Sequence, residues 1–178
     1  MKWIQNPFAK GTKKMGNEEF RAGMRKLAGG VTIITSIDST GQRCGLTATA
    51  VCSLSTEPPS LVACVNRNSS VAAVVESTRV FAVNVLSSDQ LDVAEVFAGR
   101  AGLVREERFA SGKWRAIETG APVLHDTAVT FECELAEIKE FGTHLILIGQ
   151  VAATHLSEGR DNPLLYGNGA FLTAAAVA

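Results

Sequence analysis

The amino-acid sequence predicts a mainly β domain, a closed or split barrel that carries only a few short helices. Short runs rich in β-branched residues recur along the 178 residues and are separated by turn residues. The strands are many and the helical patterns few and short, which favours a barrel over a doubly wound parallel sheet. The length is typical of one domain.

The N-terminal segment predicts an arm followed by a short helix. Residues 1–16 mix Gly, Lys, Asn and Pro without periodicity, so we expect a flexible arm, or a segment packed on a partner subunit, before one domain at 17–178. Asn17 is expected to cap a helix that stops at the Gly29-Gly30 pair. The apolar residues of this predicted helix, expected to pack inward, are Phe20, Met24 and Leu27.

The middle of the chain predicts a hairpin, then strands alternating with short helices. The hairpin strands are expected at 31–37 and 43–54, around the turn residues 38–41. Further strands are predicted at 61–66 and 80–86. Helices are predicted at 69–77 and, opened by Ser87 and Gln90 as a capping box, at 87–97. The pattern then dissolves over 98–124, and so long a loop is usually functional or mobile.

The last third predicts strands again. Apolar Phe131, Cys133 and Leu135 alternate with Glu132 and Glu134, as in a half-buried strand. Three further apolar stretches complete the predicted sheet, at 145–151, 164–166 and 171–172.

Composition excludes several classes of function. Hydrophobic residues make up 46% of the chain, charged residues 20%, and the formal net charge is -1. This balance offers no electrostatic footprint for nucleic acid or an anionic membrane surface. The N-terminus has no signal-peptide core and no later stretch resembles a membrane span, so we expect a cytoplasmic protein.

The cysteines and histidines indicate neither a metal site nor a disulfide framework. No C-x-x-C pair occurs, and the four cysteines lie in strand-like apolar contexts, as reduced buried thiols do. The three histidines are scattered, without carboxylates at ligand spacing.

Two neighbouring segments carry the chemistry. Residues 45–55 form a strand of small and hydroxyl side chains, against which a flat ring can lie close to the backbone. Residues 66–70, Asn-Arg-Asn-Ser-Ser, stand where a strand ends and a helix begins, and free amides at a helix start favour an anion. A plain edge strand followed by a capped helix remains the alternative interpretation of both segments.

In the order and spacing of its motifs, the chain resembles the flavin reductase family, the reductase components of two-component flavin-dependent monooxygenases. The resemblance covers about residues 20–171. Besides the two segments above, it rests on Gly29-Gly30-Val31-Thr32-Ile33-Ile34-Thr35, Pro58-Pro59, residues 81–86, Phe97-Ala98-Gly99, Arg108-Phe109, and Gly142-Thr143-His144 through Gly149-Gln150-Val151.

The resemblance implies a fold and an activity. The fold is an FMN-binding split β-barrel of Greek-key-like topology in a homodimer. The activity is reduction of FMN or FAD by NADH or NADPH, with reduced flavin supplied to a separate oxygenase. No G-x-G-x-x-G follows a predicted strand, so the nicotinamide nucleotide would need a different, open site.

The resemblance also assigns roles to residues. Strand residues expected against the isoalloxazine are Thr47, Ala48, Thr49, Ala50 and Ser53. Residues expected to hold the ribityl chain and phosphate are Asn66, Arg67, Ser69 and Ser70. Phe109 and Tyr166 are expected to cover the pocket, although either also suits a core or staple role. His144 is expected near the nicotinamide; relatives usually have Gly-Asp-His there, and Thr143 replaces the aspartate.

Other functions fit the same flavin-binding motifs. The bound flavin could reduce a different acceptor, such as a cobalt corrinoid or a ferric complex. A non-catalytic flavin carrier is the non-enzyme alternative. His144 and the Arg108-Phe109 segment favour an enzyme, because a carrier needs no position for a second ring.

Overall fold

The structure, a computed structural model, describes residues 16–160 and 162–175. Its strands in these ranges are β1 (Gly29–Gly30), β2 (Thr32–Ile37), β3 (Arg43–Ala48), β4 (Val51–Thr56), β5 (Pro59–Asn66), β6 (Val80–Val85), β7 (Trp114–Arg115), β8 (Val123–Leu124), β9 (Val129–Phe141), β10 (His144–Leu156), β11 (Leu164–Gly167) and β12 (Ala170–Thr173). Its helices are α1 (Asn17–Met24), α2 (Ser70–Thr78), α3 (Leu91–Phe97) and a 3-10 helix at Arg105–Ala110. The mainly β prediction is confirmed. The predicted arm, apart from Gly16, lies outside the described residues.

Among the described residues, seven strands form one antiparallel sheet in the order β3-β2-β6-β9-β10-β5-β4, called the main sheet below. Strands β1, β11 and β12 form a smaller sheet, and β7 pairs with β8. Residues Thr32 to Thr35 of β2 are buried because apolar side chains cover both faces of this inner strand: Ile34 packs on one face and Ile33 on the other. None of the described helices has the length and apolar character needed to cross a bilayer.

Two apolar clusters hold these layers together. One packs α2 against the main sheet through Val71 and Val75, which are fully buried, and through Phe81 of β6. The other surrounds α3, where Phe97 and Phe109 meet edge to face with ring centroids 5.1 Å apart. The second cluster therefore fixes α3 and the segment after it on β2 and β3.

The prediction of one strand over 43–54 is wrong. Residues Thr49 and Ala50 leave the strand, because β3 ends its pairing with β2 at Ala48 and β4 begins a new pairing with β5 at Val51. Since β3 and β4 occupy opposite edges of the main sheet, this two-residue junction brings the two edges together.

The first predicted helix also differs from the observed one. Gly16, not Asn17, is the N-cap residue, and α1 ends at Met24. Its apolar residues do not pack inward: no residue of α1 is buried, and Phe20 and Met24 are 53% and 48% exposed. In the described residues no core element covers this face of α1.

Two further boundaries shift. Helix α3 begins at Leu91, because Ser87 instead forms an isolated β-bridge to Pro163. The backbone amide of Ser87 donates to Gln90 Oε1 over 3.1 Å. The predicted loop 98–124 contains the 3-10 helix and the β7–β8 pair, and it buries Phe109 and Leu124. This segment is thus part of the core.

Candidate active site

An open cavity of about 460 Å³ lies where β3, β5, β10 and the end of α3 meet. It is lined by Leu46, Thr47, Ala48, Thr49, Ala50, Cys64, Val65, Asn66, Phe97, Ala98, Arg108 and His144. The structure thus brings six of the residues predicted for the site, Thr47 to Ala50, Asn66 and His144, to one cavity.

The β3–β4 junction forms one wall and offers backbone groups. Thr49 and Ala50 are exposed, and within the described residues neither amide N–H has a hydrogen-bond partner in the protein. Thr47 is different: its hydroxyl donates to the Ala94 carbonyl over 2.7 Å and so ties β3 to α3. Small side chains and two free amides fit a flat heterocycle whose carbonyl oxygens need donors.

His144 and Asn66 stand together at another wall. They are direct partners in the β10–β5 register, and each lies at the end of its strand. The Thr143 Oγ1 and His144 Nδ1 atoms are 2.9 Å apart and share a hydrogen bond, which leaves Nε2 free to face a ligand. Thr143 therefore gives His144 a neutral hydrogen-bond partner.

The turn after β5 lies beside the cavity without lining it. The Arg67 amide donates to the Thr143 carbonyl over 3.1 Å, so this turn is attached to the β9–β10 hairpin. Ser69 is the N-cap of α2 and accepts from the Ala72 amide over 3.2 Å. The exposed Ser70 begins the nine-residue helix, whose free amides and positive dipole end suit an anion.

Arg108 is a wall residue of the cavity and belongs to the segment that the family resemblance expects over the flavin or the nicotinamide. Its guanidinium donates to the carbonyls of Leu103, Gly45 and Phe97 over 3.0 to 3.3 Å, and no carboxylate pairs with it in the described residues. The Phe97 carbonyl belongs to the last turn of α3, so Arg108 also caps that helix. No local pattern places a residue 60 positions after β3 against that strand.

A second chamber of about 280 Å³ continues from the first across Thr47, Ala48, Thr49 and Ala98. Tyr166 lines it, as predicted for a residue at the pocket, together with Arg100 and Phe171. The Tyr166 and Phe171 rings meet edge to face at 5.1 Å, and the Arg100 guanidinium lies 5.3 Å from the Phe171 ring centroid. Arg100 is also paired with Glu95 over 3.0 Å, so the chamber offers mainly aromatic faces against which a second planar group can stack.

Two residues predicted for the site lie elsewhere. Phe109 packs between Phe97 and Trp114, with ring centroids 5.1 and 4.9 Å away, and is 4% exposed. The ring is thus a core group in this structure and covers no cavity. Ser53 lines a different, apolar cavity on β4 and β5, because the break at the junction turns β4 toward the other edge of the main sheet.

The titratable groups of the first cavity leave little acid–base chemistry besides His144. Burial raises the pKa of the Cys64 thiol, the cavity's one cysteine among the described residues, so it is protonated at neutral pH and a poor nucleophile. In the described ranges no three His, Cys, Asp or Glu side chains are grouped as metal ligands. The site therefore suits a reaction whose chemistry a bound cofactor supplies.

Comparison with known proteins agrees with this geometry. Residues 24–175 match the model of the family described as "Flavin reductase like domain". The chain is 40% identical over 157 residues to the FMN reductase (NADH) RutF of Agrobacterium fabrum, covering 88% of each chain.

Two other relatives extend the comparison. The 4-hydroxyphenylacetate 3-monooxygenase reductase component of Pseudomonas aeruginosa is 40% identical over 154 residues, which cover 86% of this chain and 89% of that protein. The solved structure of the Streptomyces globisporus NADH:FAD oxidoreductase SgcE6 with NAD and FAD fragments superposes with a TM-score of 0.80. It is 27% identical, and the match covers 89% of this chain and 92% of that one.

Proposed function

The chain belongs to the flavin reductase-like domain family, and from this membership we propose that it catalyses the reduction of FMN, with FAD as a second flavin, by NADH. The observation that carries the proposal is one cavity that unites the unpaired Thr49 and Ala50 amides with His144. The activity is that of an oxidoreductase, as in the FMN reductase (NADH) relative.

The residues present fit a flavin and a nicotinamide nucleotide. When bound, the flavin supplies a ring that accepts a hydride, so the protein contributes binding and orientation. The Thr49 and Ala50 amides would donate to the flavin, and the small side chains of the junction would let its ring approach the backbone. Asn66, Arg67 and the start of α2 would hold the ribityl phosphate, and His144 would orient the nicotinamide from the facing wall.

The activity is tested by following NADH absorbance at 340 nm with FMN, FAD or no flavin. We expect oxidation of NADH only when flavin is added or retained, and slower oxidation of NADPH. A cobalt corrinoid and a ferric complex, each offered with catalytic flavin, test other acceptors. No loss of absorbance at saturating FMN and FAD would contradict the proposal.

We further propose that the reduced flavin serves a separate flavin-dependent oxygenase. The support is the relative that is named a monooxygenase reductase component. The open cavity suits a flavin that leaves after reduction. Without an oxygenase, released reduced flavin reacts with oxygen, so hydrogen peroxide formed should match NADH consumed. A peroxide yield near zero in aerated buffer would contradict release.

A homodimer in the cytoplasm completes the proposal. The uncovered apolar face of α1 and the apolar cavity lined by Val51, Leu61 and Val151 offer surface for a second copy. The four cysteines, all free, suit a reducing compartment. Light scattering at micromolar concentration should give twice the chain mass, and an active monomer would contradict the assembly.

A further inference from the structure

We propose that Glu140 sets how readily the flavin leaves, by competing with the flavin phosphate for Arg67. This inference rests on the proposed function, because it needs the phosphate at the turn after β5. It adds a residue that tunes exchange, which no motif in the sequence singles out.

The β9–β10 hairpin places Glu140 at this turn. Glu140 is the register partner of Leu145, one residue from His144, and the Arg67 amide is bonded to the Thr143 carbonyl of the same hairpin. The Arg67 Nη1 and Glu140 Oε1 atoms form an ion pair. The cation predicted to hold the phosphate is therefore already engaged by a carboxylate.

The exposure of the pair makes this engagement reversible. The Arg67 and Glu140 side chains are 48% and 59% exposed, and ion pairs this exposed contribute little to stability. A phosphate can thus displace the carboxylate. Glu140 then stays within a few ångströms of a second anion, and the repulsion weakens the bound state.

Arg67 is the only lysine or arginine in the 66–70 turn. Neutralising it affects the phosphate end of the flavin and leaves the ring contacts at the junction unchanged. A protein that delivers reduced flavin elsewhere gains from such a weakened phosphate grip, because tight binding slows release. The alternative interpretation is a surface ion pair that only stabilises the hairpin.

The test compares FMN with riboflavin, which has the same ring and lacks the phosphate. Dissociation constants are measured by quenching of flavin fluorescence in low-salt buffer for the parent, Glu140→Gln and Glu137→Gln. Glu137 is a matched control, since it is exposed on the same strand and forms no ion pair among the described residues.

Glu140→Gln should bind FMN about two- to fivefold more tightly than the parent, as expected for an exposed charge. Its affinity for riboflavin should equal that of the parent, and its gain in FMN affinity should be smaller in 0.5 M salt. Glu137→Gln should change neither constant. Equal melting temperatures of the three proteins would show that hairpin stability is not the cause.

Arg67→Gln separates this inference from the proposed function. If Arg67→Gln lowers FMN affinity selectively while Glu140→Gln binds FMN no more tightly than the parent, the competition is overturned and the phosphate site stands. If Arg67→Gln weakens the binding of FMN and of riboflavin equally, the phosphate does not bind at Arg67. In that case both the proposed phosphate site and the competition by Glu140 are overturned. Tightening of riboflavin by Glu140→Gln would also overturn the competition.

Discussion

At the scale of single residues, His144 offers the sharpest test of the site. It lies on β10, whereas the proposed ring contacts lie at the β3–β4 junction. Replacing His144 by Ala should lower kcat/KM for NADH about tenfold, a loss of ~1.4 kcal/mol, through a higher KM, a lower kcat or both. Flavin affinity should stay nearly the same.

The matched control for this variant is His125→Ala. His125 lines neither chamber. Its backbone amide donates to the Lys113 carbonyl and its carbonyl accepts from Gln90, and among the described residues its ring forms no hydrogen bond. Steady-state rates with varied NADH and flavin fluorescence measure the two effects. If both variants reduce FMN at the parent rate with the parent KM, His144 is structural and the nicotinamide is positioned by another wall, such as that of Arg108.

Phe109 tests whether the segment before β7 covers the flavin or belongs to the core. Because the ring is buried among Phe97 and Trp114, Phe109→Ala should lower the free energy of unfolding by about 3 kcal/mol. Urea unfolding measures this, and Phe141→Ala, at a residue 78% exposed, should change little. If the Phe109→Ala variant keeps the stability of the parent but binds riboflavin more weakly, Phe109 contacts the flavin and is not a core residue.

The sequence indicates which residues lie near the cavity better than it indicates which of their backbone or side-chain groups face the cavity. The hydroxyl-rich segment lies at the cavity, yet the Thr47 hydroxyl bonds to α3 and the unpaired amides belong to Thr49 and Ala50. The backbone amides that stay free depend on where β3 stops pairing with β2, and the sequence does not show that point. The resemblance implies that the Arg108-Phe109 segment covers the flavin or the nicotinamide, but local patterns do not predict the Arg108 contacts to Gly45 and Phe97, which join distant parts of the chain.

At the scale of elements, Gly149 shows how closely β10 packs on the core. A Cβ atom there would lie 2.5 Å from Phe81 Cζ and 2.9 Å from Cys133 Cβ. Because Phe81 is fully buried, Gly149→Ala should lower the free energy of unfolding by about 1 to 3 kcal/mol.

Gly30→Ala is the matched control, since a Cβ at Gly30 meets no atom within 4 Å among the described residues. Both glycines lie in strands. Chemical unfolding monitored by circular dichroism compares the two variants. A loss for Gly30→Ala as large as that for Gly149→Ala would indicate a backbone effect and not the clash with Phe81.

Strands were predictable where side-chain pattern and pairing agree. The β-branched run of β2 and the alternating apolar residues of β9 identify them without other information. The break between β3 and β4 was not predictable, since Thr49 and Ala50 continue the pattern and contain no Gly, Pro or Asn. It comes from the change of pairing partner, which is a tertiary effect.

At the scale of the whole molecule, a buried carboxylate fastens the segment before β8 to the main sheet. Glu132 has no exposed surface and accepts from the Thr119 amide and hydroxyl at 2.8 Å, while His155 Nε2 lies 2.7 Å away. Burial alone would raise the pKa of Glu132, but the hydrogen bonds from Thr119 and His155 outweigh it and hold the pKa below its usual value.

Glu132→Gln should therefore lower the free energy of unfolding by about 2 to 4 kcal/mol at pH 7. A lowered pKa in the folded state gives stability that is present above the unfolded pKa and lost as pH falls through the folded value. The difference between parent and variant should thus narrow below about pH 4.5, the ordinary value for glutamate.

Urea unfolding at pH 7, 5 and 4 measures this dependence, with the exposed Glu134→Gln as control. A difference that is constant with pH would mean that the charge on Glu132 contributes nothing to stability.

The arrangement itself, in which a residue of β9 fixes a segment that follows α3, is not predictable from local patterns. Only the family resemblance carried information on the order of strands.

The two-residue junction between β3 and β4 also fixes when the site can form during synthesis. These strands are neighbours in the chain but are separated in the main sheet by β2, which is made before them, and by β5, β6, β9 and β10, which are made later; β10 ends at Leu156. Pairing between residues so far apart in sequence must wait until the later partner has been made. We therefore expect that a nascent chain still lacking β10 carries both predicted binding segments but not the complete cavity, because His144 belongs to β10.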